Sequence, residues 1–375
     1  MTTRFTTDGS VQLEQLLETW CADFADAVRA IIPEERLEAI VLGGGYGRGE
    51  GGVLRAPDGD KPYNDLEFYI FVRGPLLVRE RQYKRRLAEV THAFSEKCGL
   101  EFEAKILTFQ KIQGSGPTMF YHDLVMGHRW IWGRVQEFVD CEQQRAAHRI
   151  PLHEATRLLM NRSSGLLFSA AQLQGESIDI DFVRRNISKA QLALGDAVLC
   201  AFGRYHSSCR ERHRRLEKLN PPTVTPWLDE LVRLHTVGVE FKLHPYQSTE
   251  SIENLRRDHA EITRLAGSIF LWLEEKRLGV PFETHFDYAF DSTPKHPDTR
   301  ALRNTLINLK AFGPAGLSTR YPRERLLEAL ALLLWTPKAL ADPKALRKIQ
   351  TNLQTRETSF AGLVAAYRKL WSRFN

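Results

Sequence analysis

The sequence predicts an α+β N-terminal domain, a small mixed sheet with flanking helices, followed by an all-α helical domain. Two observations predict this arrangement. Short apolar runs alternate with helical patterns through roughly the first 110 residues, and after about residue 145 only the helical period of apolar residues remains. We therefore expect domains at residues 1–145 and 146–375, with a subdivision near the Asn220-Pro221 break.

Composition excludes several classes of protein. Of the 375 residues, 43% are hydrophobic and 26% are charged, values typical of folded globular chains rather than disordered ones. No apolar run approaches the roughly 18–20 residues that span a bilayer, and the first 12 residues lack the apolar core of a signal peptide. We expect a soluble, cytoplasmic protein without membrane contact, whose five scattered cysteines remain reduced.

Each element of the N-terminal domain has its own pattern. Apolar residues at helical spacing predict a first helix that stops before Pro33, and later segments alternate between β-type and α-type patterns. The glycine-rich stretch between the first two strands predicts a loop with one helical turn at most. The predicted order is helix 11–31, strand 37–42, loop 43–59, strand 65–72, helix 76–98, strand 100–109 and a final strand around Trp130 and Trp132.

The helical half contains one long apolar pattern. Residues 181–219 keep helical periodicity with few interruptions, which predicts a single very long helix. Lys189 and Asp196 lie seven residues apart on one face of it, so both polar groups need partners. One interpretation of these polar groups is an ion pair between helices.

The chemistry-bearing pattern combines a glycine turn with paired acids. Glycines directly after a buried strand allow backbone N–H groups to approach a ligand closely. Asp65 and Glu67 stand at i and i+2 of the next strand, so their side chains share a face about 6–7 Å apart. Such like charges are tolerated together when a divalent cation lies between them, and Mg²⁺ prefers carboxylate and phosphate oxygens. Glycine turn and acid pair together favour metal-assisted phosphoryl or nucleotidyl transfer.

The sequence GGYGRGE at residues 44–50, followed by DLE at 65–67, resembles the signature of the DNA polymerase β-like nucleotidyltransferases. The GGYGR form is similar to that of the PII-protein uridylyltransferases, and the glycine-to-RGE spacing resembles that of aminoglycoside-type nucleotidyltransferases. Glycine stands at position 45 where the family often has serine, and residues 53–62 lengthen the loop.

The resemblance implies roles for individual residues. Gly44 and Gly45 would bind the triphosphate of an NTP, with ATP as the first candidate, and Asp65 and Glu67 would hold two Mg²⁺ ions. A third acid on a later strand would complete the metal site and assist deprotonation of the acceptor. We choose Glu103 for it, with Glu101 on the same face as the alternative. The resemblance also implies that Lys189 contacts the phosphates of the nucleotide from the helical domain, the alternative to an ion pair between helices.

Arg48 follows the glycine turn directly. Its guanidinium is predicted to contact phosphate, or equally to pair with Glu50 or Asp65.

These residues predict a Mg²⁺-dependent nucleotidyltransferase that moves a nucleoside monophosphate from an NTP to an acceptor hydroxyl and releases pyrophosphate. The acceptor is unknown: a small molecule is the first expectation and a protein side chain the second. The alternative from another class is a non-catalytic nucleotide-binding regulator or a toxin–antitoxin component. Nucleic acid is not an expected partner, because the net charge of +6 is small for this length. The oligomeric state cannot be predicted.

Overall fold

The computed structural model of the chain describes residues 4–133, 138, 140–221 and 225–374. The chain forms two compact units. The first, here called the sheet unit, comprises Met1–Pro151, Phe202–Asn220 and Val239–Tyr246. The second, the helical unit, comprises Leu152–Ala201, Pro221–Gly238 and Gln247–Asn375. The sequence-based boundary after residue 145 did not anticipate the two later segments that belong to the sheet unit.

The elements are numbered in chain order. The strands are β1 Leu37–Leu42, β2 Val53–Ala56, β3 Gly59–Pro62, β4 Leu66–Val72, β5 Phe102–Leu107 and β6 Arg129–Gly133. The helices are α1 Val11–Arg29, α2 Gly44–Gly47, α3 Leu76–Cys98, α4 Phe109–Gln113, α5 Met119–Met126, α6 Glu142–Arg145, α7 Leu152–Leu173, α8 Ile180–Ala201, α9 Cys209–Glu217, α10 Leu228–Leu243, α11 Ile252–Leu278, α12 His285–Phe290, α13 Ala301–Phe312, α14 Arg323–Trp335, α15 Pro343–Leu353 and α16 Phe360–Phe374.

The main sheet is mixed, as predicted. Its four strands lie in the order β5-β4-β1-β6. Strand β1 pairs antiparallel with β4 and β6, whereas β4 and β5 are parallel and are joined through α3. A parallel pair needs such a crossover, because a tight hairpin reverses the chain direction.

Alternation along β4 divides its side chains between two cores. Phe68 faces α1, where its ring stacks on Phe24 at a centroid distance of 4.1 Å, and Phe102 of β5 joins the same cluster. Tyr69 and Phe71 face the opposite side, where the core is built with residues of α4 and α5. Because side chains of a strand alternate, Glu67 shares the face of Tyr69 and Phe71.

The loop prediction for residues 43–59 is wrong in its second half. Strands β2 and β3 form a separate two-stranded hairpin, with Val53 opposite Pro62 and Ala56 opposite Gly59. Gly59 has a φ of +120°, a backbone conformation that glycine adopts without steric cost. Arg55 forms an ion pair with Asp60 across the hairpin and another with Asp8, which connects the hairpin to the N-terminal segment.

The single long helix predicted for residues 181–219 is also wrong. Helix α8 ends at Ala201, and α9 starts at Cys209 after a non-helical segment. Two local features explain the break. Gly203 has a φ of +66°, typical of a helix end, and the Ser208 side chain caps α9 by accepting a hydrogen bond from the Glu211 backbone N–H.

The helical unit contains only helices among its described residues, as the sequence predicted. Helices α7, α8, α11 and α14 supply much of its core. At its centre the fully buried Glu274 carboxylate accepts hydrogen bonds from Thr156 and Tyr288 and pairs with Arg277. A carboxylate can be buried there because its oxygens are satisfied by donors. Among the described residues, no helix combines the length and apolar character required to cross a membrane.

Candidate active site

The glycine turn, here called the elbow and comprising residues 43–47, follows β1 directly. Pairing of β1 with β4 sets Leu42 opposite Phe68, and the Gly43 N–H donates to the Glu67 carbonyl at 2.8 Å. Gly44 has a φ of +60°, and a side chain added to it would overlap the Glu67 carboxylate. Glycine is therefore strongly favoured at this position, and the acid lies directly against the backbone of the elbow.

The predicted acids lie together at one edge of the sheet. In the parallel register of β4 with β5, Glu67 is paired with Glu103. Neighbouring strands are about 4.8 Å apart, so the two carboxylates stand side by side on the same face. Asp65 comes one residue before β4 and two before Glu67. The backbone carbonyl of Glu101 accepts a hydrogen bond from Leu66 N–H, so Glu101 aligns with the start of β4.

The acids influence one another's protonation. Burial raises the pKa of Glu67, and the negative charge of Asp65 raises it further. Burial also raises the pKa of Glu103, with further increases caused by Asp65, Glu67 and Glu101. None of these four carboxylates pairs with a Lys, Arg or His side chain of the described residues within 4.0 Å. The cluster therefore carries negative charge that no described ion pair compensates, a charge distribution suited to a bound cation.

Tyr69 orients one of these acids, a role that the sequence analysis did not assign. Its hydroxyl donates a hydrogen bond of 2.7 Å to Glu67 Oε2. Its ring also lies so close to Gly43 that a side chain at that position would overlap it. The i, i+2 spacing of Glu67 and Tyr69 on a strand, which places both on one face, was the signal available in the sequence.

Lys242 is a second residue that sequence reasoning missed. Its Nζ lies 3.4 Å from the position that a Cβ on Gly45 would occupy. Burial lowers the pKa of Lys242. The positive charges of Arg48 and Arg212 lower this pKa further, whereas the negative charge of Glu50 raises it. Its ammonium group makes no ion pair within 4.0 Å to the residues that the structure describes. The end of α10 thus brings a cation to the elbow. No local sequence motif around Lys242 predicts this position.

Arg48 has a different ion-pair partner from those predicted. Its guanidinium pairs with Asp123 of α5 at 3.6 Å, where the sequence suggested Glu50 or Asp65. The Arg48 side chain is 12% exposed, so it is largely enclosed by protein. Asp123 also accepts a hydrogen bond from the Tyr205 hydroxyl at 3.1 Å. This network anchors the loop after the elbow, and phosphate contact by Arg48 stays a prediction.

Glu50 binds the N-terminus of α9. One carboxylate oxygen accepts from the Ser208 hydroxyl at 2.5 Å and the other from the Cys209 backbone N–H at 2.9 Å. Burial alone would raise the pKa of Glu50, but these hydrogen bonds and the nearby Arg48 outweigh it and lower the pKa. Negative charge is favourable at a helix N-terminus, so Glu50 fastens α9 to the glycine loop.

Lys189 lies in the helical unit. It is an exposed residue of α8, and its phosphate contact stays a prediction. The interhelical pairing considered for this face is seen at Asp196, whose carboxylate lies 3.6 Å from His235 Nε2 of α10.

The residues of the acid cluster fit Mg²⁺ in kind. They offer carboxylate oxygens, the ligands that Mg²⁺ prefers, and are not neutralised by a described cation. No group of three or more His, Cys, Asp or Glu side chains converges on one ion position within the part of the chain that the structure describes. The arrangement therefore suits an ion held by one or two carboxylates together with phosphate oxygens of a nucleotide, the common mode for Mg²⁺.

Comparison with known proteins gives little beyond this geometry. No protein-family model and no curated protein matches the sequence. Among solved structures, the chain is similar to the spectinomycin adenyltransferase AAD(9) from Enterococcus faecialis, solved with ATP and spectinomycin. The identity is 14%, the TM-score is 0.36, and the match covers 66% of this chain and 98% of that chain. A likeness at this level does not establish a shared activity.

Proposed function

We propose that this chain is a Mg²⁺-dependent nucleotidyltransferase. The observation that carries the proposal is the position of the Glu67 carboxylate against Gly44, with Glu103 beside it in the paired strand. An elbow whose backbone is open to phosphate and an acid cluster that suits a divalent cation are the two parts that transfer from an NTP requires. Here they adjoin.

The elbow would hold the triphosphate. Gly44 and Gly45 open a helical turn, so their backbone N–H groups have no acceptor within that turn. The Lys242 ammonium lies next to Gly45 and adds positive charge that phosphate oxygens can use. Lys189 remains our second candidate for a phosphate contact, and Arg48 would act by holding the loop through Asp123.

Asp65 and Glu67 would hold Mg²⁺, which when bound neutralises triphosphate charge and polarises the reacting oxygens. Glu103, whose pKa is raised, would accept the proton of the acceptor hydroxyl as its oxygen attacks the α-phosphorus. A new O–P bond forms, the bond between the α-phosphorus and the bridging oxygen breaks, and pyrophosphate leaves. A small-molecule hydroxyl is the acceptor we propose first, and a protein side chain second.

The test is pyrophosphate release by the full chain with Mg²⁺ and each of the four NTPs, with and without cell extract as a source of acceptors. Asp65→Asn and Glu67→Gln should each lower release by at least a hundredfold. Glu80→Gln, which changes a half-buried acid of α3 outside the site, should leave it unchanged. NTP binding without release under every condition would contradict catalysis and favour the nucleotide-binding regulator. Release that persists in both site variants would refute these residue assignments.

A further inference from the structure

The helical unit contains a cavity of about 720 Å³, a volume within the range of small-molecule sites. Its lining comes entirely from the helical unit, on α7, α11, α12, α14, α16 and the turn that contains Leu340. More than half of the lining surface is apolar, with Leu333, Leu334 and Phe360 among the contributors. None of its described lining residues belongs to the elbow or the acid cluster.

One wall of the cavity is aromatic and held in place by hydrogen bonds. The rings of His285 and Trp335 lie 4.8 Å apart between centroids, inclined by 30°. Trp335 Nε1–H donates to the Thr263 carbonyl at 3.0 Å, and His285 Nε2 bonds the Gly267 carbonyl at 3.1 Å. A Cβ on Gly267 would approach both rings to 3.0 Å, so the glycine leaves room for the pair. Such a fixed ring wall offers a surface on which a planar ligand can pack.

Two histidines of the cavity lining each offer a hydrogen-bond acceptor. His259 Nε2 forms a hydrogen bond of 2.8 Å with the Leu166 carbonyl, and His285 Nε2 forms one with the Gly267 carbonyl. A carbonyl only accepts, so Nε2 carries the proton in each ring and Nδ1 is left as an acceptor. Burial lowers the pKa of His285 to about 4 and also lowers that of His259, so both rings are neutral at pH 7. No described residue donates a hydrogen bond to either Nδ1.

The cavity is also close to neutral. Its described lining has no carboxylate, and its cation, Arg264, is paired with Glu230. A charged ligand would lose its hydration without finding an opposite charge, which is costly. From this lining we infer that the cavity is a binding site for an uncharged, planar aromatic compound that carries an N–H or O–H donor.

The test uses 5-fluoroindole as the probe, and its binding to the full chain is measured by ¹⁹F NMR titration. The matched ligand is 5-fluoro-1-methylindole, which keeps the ring and lacks the donor. We expect saturable binding of 5-fluoroindole, about threefold to tenfold tighter than that of the methylated probe, the factor that one neutral hydrogen bond supplies. In His285→Phe, which keeps a ring and removes an acceptor, that preference should fall.

Two further variants locate the binding. Ala260 is an exposed residue of the lining on α11, and Ala260→Trp should fill the cavity and abolish binding. Ala365→Trp, at an exposed position of α16 outside the lining, should bind the probe as the unaltered chain does. Thermal melts establish that each variant is folded. Absence of saturable binding to the unaltered chain, or unchanged binding in folded Ala260→Trp, would overturn the site. Equal affinity for both probes would overturn the donor requirement.

Discussion

Glycine at position 44 connects the chain's backbone geometry with the proposed chemistry. Its left-handed backbone and the adjoining Glu67 carboxylate disfavour a side chain there for two separate reasons. The sequence already indicated a glycine turn and an acid pair. It could not show that Glu67 rather than Asp65 contacts the elbow, because that depends on the register between β1 and β4.

The substitution Gly44→Ala separates these two reasons when it is compared with Gly99→Ala. Gly99 has a nearly identical φ of +63°, but nothing lies within 4 Å of an added Cβ. Both variants should lose about 1–2 kcal/mol of unfolding free energy from left-handed strain. Gly44→Ala should lose more and should also lose nucleotidyl transfer. Urea unfolding and pyrophosphate release measure the two effects; equal stability losses with activity retained in both variants would contradict the assigned contact.

Tyr69→Phe should alter the pH dependence of the reaction. The Tyr69 hydrogen bond lowers the pKa of Glu67, so its removal lets burial and Asp65 raise that pKa further. If the carboxylate form is active, the acid limb of the rate profile should move to higher pH, and the loss should be larger at pH 6 than at pH 8. Tyr121→Phe is the control, because the Tyr121 hydroxyl makes no hydrogen bond to Glu67. A profile that keeps its midpoint in Tyr69→Phe would rule out this positioning role.

At the scale of elements, the sequence was informative where apolar patterns were long. Helix α3 was predicted with its observed bounds, and strand β1 likewise. The β2–β3 hairpin was missed because each strand has only four residues and β3, with the sequence GDKP, is polar and rich in turn residues. The break between α8 and α9 was missed because helical periodicity continues across it, while one glycine and one serine cap decide the outcome.

The attachment of α9 to the glycine loop through Glu50 predicts a pH-dependent contribution to stability. The folded-state pKa of Glu50 is lowered below its ordinary value of 4.5. The ionised Glu50 carboxylate therefore contributes to the free energy of unfolding above about pH 4.5, and this contribution is lost as the pH falls through the folded-state pKa. Glu50→Gln should lower the unfolding free energy at pH 7 by about 1.5–3 kcal/mol, the range for a hydrogen bond to a charged group.

The control for Glu50 is Glu89→Gln, which removes an exposed i, i+4 partner of Arg85. That change should cost at most about 0.5 kcal/mol. Denaturant unfolding at several pH values measures both variants. A Glu50→Gln deficit that stays constant down to pH 3 would show that the carboxylate's charge does not fasten α9.

At the scale of the molecule, the position of Lys242 and the ion-pair partner of Arg48 were missed for the same reason. Lys242 reaches the elbow because the end of α10 clusters with the sheet unit, and Arg48 finds Asp123 on a different element. Neither contact follows from local spacing, since each depends on how distant segments pack. The acid cluster was predictable because strand alternation fixes which side chains share a face, and Glu103 then follows from the parallel register.

The account's central claim is that the elbow and its acids bind an NTP together with a divalent cation. The most direct measurement is titration calorimetry of the chain with AMPCPP, an ATP analogue that cannot release pyrophosphate, in the presence and absence of Mg²⁺. We predict Mg²⁺-dependent binding that weakens at least tenfold in Asp65→Asn and in Glu67→Gln. Binding that is the same with and without Mg²⁺, or that both folded variants retain in full, would contradict the claim.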